Sequence, residues 1–138
     1  AEIGRCYPVM AQLRPHLTGA PEFIERVQGQ MKQDGFRLAF LEAQGQVKAV
    51  AGFRINEMLS RGRFLYLDDL VTDAGHRSQG YGAALFDWIV AFAKSENCAQ
   101  LELDSGVARY GAHRFYFRHR MVISGYHFRM KLADEQPR

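Results

Sequence analysis

The sequence predicts a single domain of the mixed α/β class, in which helices flank one β-sheet. The chain has 138 residues, 47% of them hydrophobic, which is enough to bury the core of one domain spanning residues 1–138. Strand-like and helix-like patterns alternate in the order β-α-α-β-β-β-α-β-α-β. Three strand patterns follow one another between residues 37 and 72 with only short polar turns between them, which predicts an antiparallel meander.

The first third of the chain is predicted to be mainly helical. Residues 3–5 are interpreted as a short first strand. Pro8 suits the first turn of a helix, because a proline there gives up an N–H that has no partner in the helix. A second helix is expected to begin at Pro21 and to end at Asp34-Gly35.

The meander is predicted from three apolar segments, at residues 37–43, 47–56 and about 64–72. The first is an almost unbroken apolar run, which predicts a strand covered on both faces. Turns are expected at residues 44–46 and 60–62, where polar residues surround a glycine.

A glycine-rich turn follows the third of these strands. It contains Arg77, Gly80 and Gly82, and the apolar spacing after Gly82 predicts a helix that begins there. The N–H groups of a helix N-terminus bind phosphate, and glycines let the backbone approach it. No Gly-Lys-Ser/Thr sequence is present, and the third glycine of a dinucleotide fingerprint is replaced by Leu85. The turn is therefore predicted to bind a pyrophosphate of another kind.

The last third is predicted to contain a short strand at residues 101–106, with a turn signal at its end, and a helix from about residue 108 to residue 119. A final strand is expected at residues 122–132, where Gly125 marks a bend or divides the segment into two strands.

Two motifs give this chain a family resemblance. Arg77-x-x-Gly80-x-Gly82 resembles motif A of the GCN5-related N-acetyltransferases (GNAT), and Ala112 to Tyr116 resembles their motif B. The resemblance implies the GNAT fold, a mixed and strongly twisted sheet of six or seven strands flanked by about four helices. It also implies an enzyme that transfers an acetyl group from acetyl-coenzyme A, as cosubstrate, to a primary amine of a small molecule or protein.

The resemblance further implies where acetyl-coenzyme A binds. The pantetheine would lie along the strand that ends at residues 70–72, whose backbone N–H groups would polarise the thioester carbonyl. The glycine turn would hold the pyrophosphate, and one face of the motif B helix would line the cofactor. The residues implied are Leu70, Val71, Thr72, Arg77, Ser78, Gln79, Gly80, Tyr81, Gly82, Ala83, Arg109 and Ala112.

Tyr116 is the predicted general acid. Arg109, Ala112 and Tyr116 lie at positions i, i+3 and i+7, so they share one stripe of the helix. A phenol with a pKa near 10 can protonate a departing thiolate of similar basicity. Alternatively, Tyr116 is an aromatic residue that packs against the sheet.

The sequence does not single out one residue as the general base. Asp68 and Asp69 are the candidates, but adjacent strand residues point to opposite faces unless a β-bulge intervenes. Glu102 and Asp104 are rival carboxylates.

The sequence departs from the family pattern at two places. Arg109 stands where many members have an asparagine that hydrogen-bonds the pantetheine, and arginine cannot accept such a bond. Residues 120–121 are Arg-Met instead of the frequent Gly-Phe, which leaves the start of the final strand less defined.

Composition limits the other function classes. The net charge is +3, a modest excess, so no nucleic acid partner is expected, although Phe115, Tyr116 and Phe117 interleave with basic residues. No membrane-spanning run and no metal-ligand spacing are present, and Cys6 and Cys98 suit reduced thiols in a cytoplasmic protein. A non-catalytic module that binds acyl-coenzyme A is the alternative function. The sequence is also compatible with a homodimer. Residues 16–35 and 56–62, where the acceptor would bind, carry no chemical signature.

Overall fold

A computed structural model describes residues 2–133, and these fall into two compact units, residues 2–102 and residues 103–133. The first unit contains a single sheet with the strand order β1-β2-β3-β4. Its strands are β1 (Arg37–Ala43), β2 (Gln46–Met58), β3 (Gly62–Thr72) and β4 (Gln100–Glu102). Its helices are α1 (Glu2–Arg5), α2 (Tyr7–Leu13), α3 (Ala20–Asp34) and α4 (Tyr81–Ser95), with a 3₁₀ turn at Ala74–His76. The second unit contains α5 (Tyr110–Arg118).

The predicted mixed α/β class is confirmed, but the sheet is smaller than expected. Four strands are present among residues 2–133, instead of six or seven. β1, β2 and β3 form the predicted antiparallel meander, and β4 pairs in parallel with β3.

The predicted first strand is wrong, because residues 3–5 belong to α1. The side chains of Glu2 and Arg5 lie one helical turn apart and form an ion pair at 3.1 Å. Pairs at this spacing support a helix, whereas a three-residue strand needs a neighbouring strand to pair with.

The predicted last strand is also absent from the described residues. Residues 121–132 have no regular secondary structure, and their apolar side chains are exposed, with Tyr126 88%, Phe128 91% and Leu132 91% accessible. An alternating pattern describes which side chains would share a face. It does not show whether a neighbouring strand is present to form the backbone hydrogen bonds on which a strand depends.

The meander and the helices α2 and α3 enclose the hydrophobic core. β2 is central and buried on both faces, whereas β1 lies at the edge of the sheet and has no buried residue, contrary to the expectation for its apolar run. The turn between these strands places Gln44 and Gly45 at positive φ, as a tight type I′ hairpin requires. The core residues come from α2, α3, the sheet and the residues that join these elements, and they include Cys6, Val9, Met10, Phe23, Val27, Phe36, Val50 and Val71.

Candidate active site

A β-bulge in β3 determines the position of the two candidate acidic residues. Gly52 of β2 pairs with Asp69, but the next residue, Phe53, pairs with Leu67. Asp68 is therefore an extra residue in β3, and the alternation of side chains is interrupted at that point. As a result Asp68 and Asp69, although adjacent, both line the same cavity. Adjacent strand residues were expected to point to opposite faces unless a β-bulge intervened, and the structure contains such a bulge.

This cavity has a volume of about 320 Å³ and lies between α2, α3 and β3. α3 contributes one face of residues spaced three or four apart, which is the spacing of side chains on a single helical stripe. The polar lining residues are Arg14, His16, Arg26, Gln30, Tyr66, Asp68 and Asp69, and the apolar ones are Met10, Leu17, Phe23, Val27 and Phe36.

Both aspartates are paired with arginines that are distant in sequence. Asp68 accepts two hydrogen bonds from Arg54, at 3.1 Å from Nε and 2.5 Å from Nη2. Asp69 accepts a 2.7 Å bond from Nε of Arg14. Arg54 also donates to Gln30 at 2.9 Å, which ties α3 to the sheet. Burial raises the pKa of Asp68, although the bonds from Arg54 act in the opposite direction.

The edge of β3 beside this cavity is only partly covered by β4. β4 pairs with Phe64, Leu65 and Tyr66 and, among the described residues, with no later part of β3. The segment from residue 67 to residue 72 therefore pairs with β2 on one side alone. Leu70, Val71 and Thr72 lie in this segment, opposite Ala51, Val50 and Ala49. An unpaired strand edge can accept an extended ligand as if it were another strand.

The predicted pyrophosphate loop lies at the end of the same strand and leads into α4. Ser78 and Gly80 both have positive φ, +69° and +84°, so the loop turns sharply before the helix begins at Tyr81. Residues 77–80 are exposed, and residues 81–83 form the first turn of α4. A Cβ at Gly82 would lie 2.7 Å from Oγ1 of Thr72, so a glycine is needed for the helix to start this close to β3.

A buried lysine anchors the start of this loop. Lys48 is 1% exposed, and its ammonium lies 3.0 Å from Oε1 of Gln46 and 2.8 Å from Nε2 of His76. An ammonium only donates hydrogen bonds, so Nε2 accepts and the ring proton is on Nδ1, which donates to Asp73 at 2.6 Å. Gln12 of α2 completes the network, donating to Asp73 and accepting from the N–H of Ala74, each at 2.8 Å.

This network is the part of the site that sequence reasoning missed. Both ring nitrogens of His76 are engaged, one by Asp73 and the other by Lys48. Gln12 lies 61 residues from Asp73, and no local pattern connects them. A lysine within the otherwise apolar run from Val47 to Phe53 was the one available signal.

The second unit contains the predicted general acid. Tyr116 lies in α5, and its ring packs edge-on against Phe115 with centroids 5.5 Å apart. Burial raises the pKa of Tyr116, and the positive charge of Arg109 opposes that shift. Arg109 is the exposed residue that precedes α5, and Ala112 lies partly buried within it.

The rival carboxylates are engaged elsewhere and do not line the cavity. Glu102 forms an ion pair with Arg61 at 2.5 Å, and Asp104 forms one with His127 at 3.6 Å when the imidazole is protonated. Within residues 2–133 no group of three or more His, Cys, Asp or Glu side chains could hold a metal ion. No helix in that part of the chain is long and apolar enough to cross a membrane.

Comparison with known proteins identifies the class. The family model described as "Acetyltransferase (GNAT) family" matches residues 5–120. The chain therefore belongs to the GNAT family of acetyltransferases.

Individual relatives agree with this assignment. The chain is 31% identical over 115 residues to "Uncharacterized N-acetyltransferase YhdJ" of Bacillus subtilis, covering 83% of this chain and 80% of that protein. A solved structure of ribosomal-protein-alanine N-acetyltransferase from Brucella melitensis has a TM-score of 0.81 at 15% identity, over 95% of this chain and 94% of that one. A GNAT family acetyltransferase from Staphylococcus aureus has a TM-score of 0.78 at 18% identity, over 95% and 90%. These two structures are similar to this chain in fold.

Proposed function

We propose that this protein is an acetyl-coenzyme A-dependent N-acetyltransferase that acetylates a primary amine by direct attack in a ternary complex. The observation that carries the proposal is the partly unpaired edge of β3, which has an acid-lined cavity beside its bulge and a glycine loop at its end. The whole chain, residues 1–138, would form one such domain. A cytoplasmic location and the absence of nucleic acid and metal partners stay predictions.

The donor would bind along β3 and the glycine loop. The pantetheine would pair with the edge at Leu70, Val71 and Thr72, because amide groups of an extended ligand can replace a missing strand. The pyrophosphate would bind residues 77–83, where N–H groups at the start of α4 and the guanidinium of Arg77 attract an anion. Arg109, which precedes α5, and Ala112 within that helix would contact the rest of the donor molecule.

The acceptor amine would bind in the cavity beside the bulge. It must be neutral to attack the thioester, so a nearby group has to take a proton from its ammonium form. Asp68 and Asp69 are the candidate bases. Of the two, Asp68 is favoured, because burial raises its pKa and so makes its carboxylate a stronger base.

The reaction would then proceed through one tetrahedral intermediate. The amine nitrogen forms a bond to the carbonyl carbon, and the carbon–sulfur bond breaks as the intermediate collapses. The thiolate of coenzyme A takes a proton from the hydroxyl of Tyr116, whose raised pKa keeps it protonated until that moment. The nitrogen gives up its remaining extra proton as the amide forms, and a proton returns to the Tyr116 phenolate through solvent, so that the products are the acetamide and free coenzyme A.

Thiol release from acetyl-coenzyme A in the presence of a panel of amines tests the proposal, with the acetylated product identified by mass spectrometry. We expect thiol release to depend on the amine and to fall about 10²-fold in Asp68→Asn. A protein that binds acetyl-coenzyme A by calorimetry but releases no thiol with any amine would instead be the non-catalytic acyl-coenzyme A-binding module.

A further inference from the structure

The segment from residue 121 to residue 132 has the pattern of a strand but pairs with no strand within the described residues. From Tyr126 to Leu132, apolar side chains at even positions alternate with basic ones at odd positions, which is the period of a half-buried strand. The large apolar side chains of the segment are between 72% and 91% exposed, and they are Val122, Ile123, Tyr126, Phe128, Met130 and Leu132. A continuous exposed apolar row is typical of a surface that another molecule covers.

A Schellman motif fixes the direction in which this segment leaves α5. The N–H of Arg120 donates to the carbonyl of Phe117 at 3.0 Å, and the N–H of Met121 donates to the carbonyl of Tyr116 at 3.1 Å. Arg120 has a φ of +66°, the left-handed conformation that this motif requires. The segment therefore starts in a defined direction, which lowers the entropic cost of ordering it against a partner.

The sheet has an edge that can accept such a segment. β4 is the terminal strand, so among residues 2–133 its edge away from β3 has no neighbouring strand. The strand that the sequence predicts over residues 101–106 ends at Glu102 in the structure. Along this stretch Leu101 and Leu103 alternate with Glu102 and Asp104, so apolar and acidic positions also follow a period of two. An unpaired edge with this pattern can bind a further strand.

The charges of the edge and of the segment are complementary. The polar positions of the edge are acidic, whereas those of the segment are basic. Within one chain, Nδ1 of His127 lies 3.6 Å from Oδ1 of Asp104, an ion pair when the imidazole is protonated. An antiparallel register that places His127 opposite Asp104 also places Arg129 opposite Glu102, and sets the apolar row of the segment opposite the leucines. Opposite charges that face each other across a strand pair stabilise it.

We infer that the segment of each chain adds as a strand to the β4 edge of a second copy, so that the protein forms a homodimer by reciprocal strand exchange. Within one chain the apolar row stays exposed, whereas exchange about a two-fold axis covers both rows at once. The inference goes beyond the proposed acetyl transfer and does not depend on it.

The area of the apolar row is sufficient for a stable dimer. Buried aromatic side chains contribute roughly 150–250 Å² each and aliphatic ones about 100 Å², so one row amounts to about 700 Å². A stable interface buries about 800 Å² per partner. Each copy also covers the row of its partner, which brings the total buried surface above that size.

Light scattering during size-exclusion chromatography tests the dimer. At about 10 μM, above the Kd expected for an interface of this size, the protein should have the mass of two chains. Phe128→Glu and Leu132→Glu each place a charge in the apolar row, so each should weaken the dimer by at least about 100-fold and give a monomer with unchanged helical circular dichroism. Leu59→Glu is the matched control and should leave the mass unchanged, because Leu59 is fully exposed but lies in the turn between β2 and β3.

Cross-linking between two different variants tests where the segment binds. One protein carries Glu102→Cys and the other Arg129→Cys, both with Cys98→Ser, so that the buried Cys6 is the only other thiol. After the two are refolded together, a short bismaleimide should link residue 102 of one chain to residue 129 of the other, as identified by mass spectrometry. Lys32→Cys, at an exposed position of α3, replaces Glu102→Cys as the control and should give no link.

Hydrogen exchange of the unmodified protein keeps the test decisive if a variant fails to fold. The amides of residues 126–132 should be protected in the dimer and exchange rapidly after dilution below its Kd. Rapid exchange at every concentration, or protection in a monomer, would overturn the inference. So would a dimer that persists in both Phe128→Glu and Leu132→Glu, one that is lost equally in Leu59→Glu, or one without the link between residues 102 and 129.

Discussion

The anchor of the glycine loop predicts strong energetic coupling between Lys48 and His76. Lys48 is 1% exposed, and His76 provides one of its two hydrogen-bond partners. His76→Leu leaves a buried ammonium without this partner, so we expect the free energy of unfolding to fall by about 2–3 kcal/mol. Lys48→Met should cost only about 1 kcal/mol, because the vacated imidazole nitrogen belongs to a side chain that is 30% exposed and can bind water.

The double variant should recover most of the lost stability. Replacing both partners of a buried hydrogen bond by apolar groups of similar shape is nearly neutral, whereas removing one leaves a desolvated group unpaired. We therefore expect Lys48→Met/His76→Leu to be about as stable as Lys48→Met alone, which gives a coupling energy of about 2 kcal/mol. Lys32→Met, at an exposed position of α3, controls for the substitution itself and should change stability by less than about 0.5 kcal/mol.

Urea denaturation at constant pH measures the four free energies, with the m-value checked for constancy across the variants. Calorimetric titration of acetyl-coenzyme A provides the second readout, since the anchor precedes Arg77 directly. The His76→Leu protein should bind the donor more weakly. If the changes in the free energy of unfolding caused by the two substitutions add to within about 0.5 kcal/mol, the contact between Lys48 and His76 does not contribute the stability expected of it.

Three further predictions concern the proposed site. Tyr116→Phe should lower kcat for thiol release by about 10²-fold and leave the Kd of acetyl-coenzyme A unchanged, and an unchanged kcat would remove its role as general acid. Gly82→Ala should weaken acetyl-coenzyme A binding by about tenfold, because its Cβ would lie 2.7 Å from Oγ1 of Thr72. The control Gly29→Ala meets nothing within 4 Å and should stabilise α3 by about 0.5–1 kcal/mol in a melting experiment. The raised pKa of Asp68 means that the folded state binds its proton more tightly than the unfolded state. The stability of the wild type relative to Asp68→Asn should therefore decrease as pH rises from about 4 to that raised pKa, and then stay constant, whereas a difference that grows with pH would contradict the shift.

Much of the first unit could be predicted from local sequence. Two positive-φ residues make the hairpin at Gln44-Gly45, a left-handed Gly35 ends α3, and Pro8 lies in the first turn of α2. These features depend on the backbone preferences of single residues and on the spacing of apolar side chains, both of which are visible in the chain itself. Two predicted strands are wrong, at residues 3–5 and 122–132, because each needed a neighbouring strand that local sequence does not reveal.

The glycine loop and the family were determined by the sequence alone. The role proposed for Arg77, Gly80 and Gly82 depends on backbone conformation and one charge, so their spacing is informative without any tertiary contact. The character of the cavity beside the bulge was decided only by the tertiary structure. The bulge at Asp68, the pairing of Arg14 with Asp69 across 55 residues and the burial of Lys48 all depend on which segments meet in space. Electrostatic interactions depend on the distance between charges in the folded protein, and the spacing of residues along the chain does not give that distance.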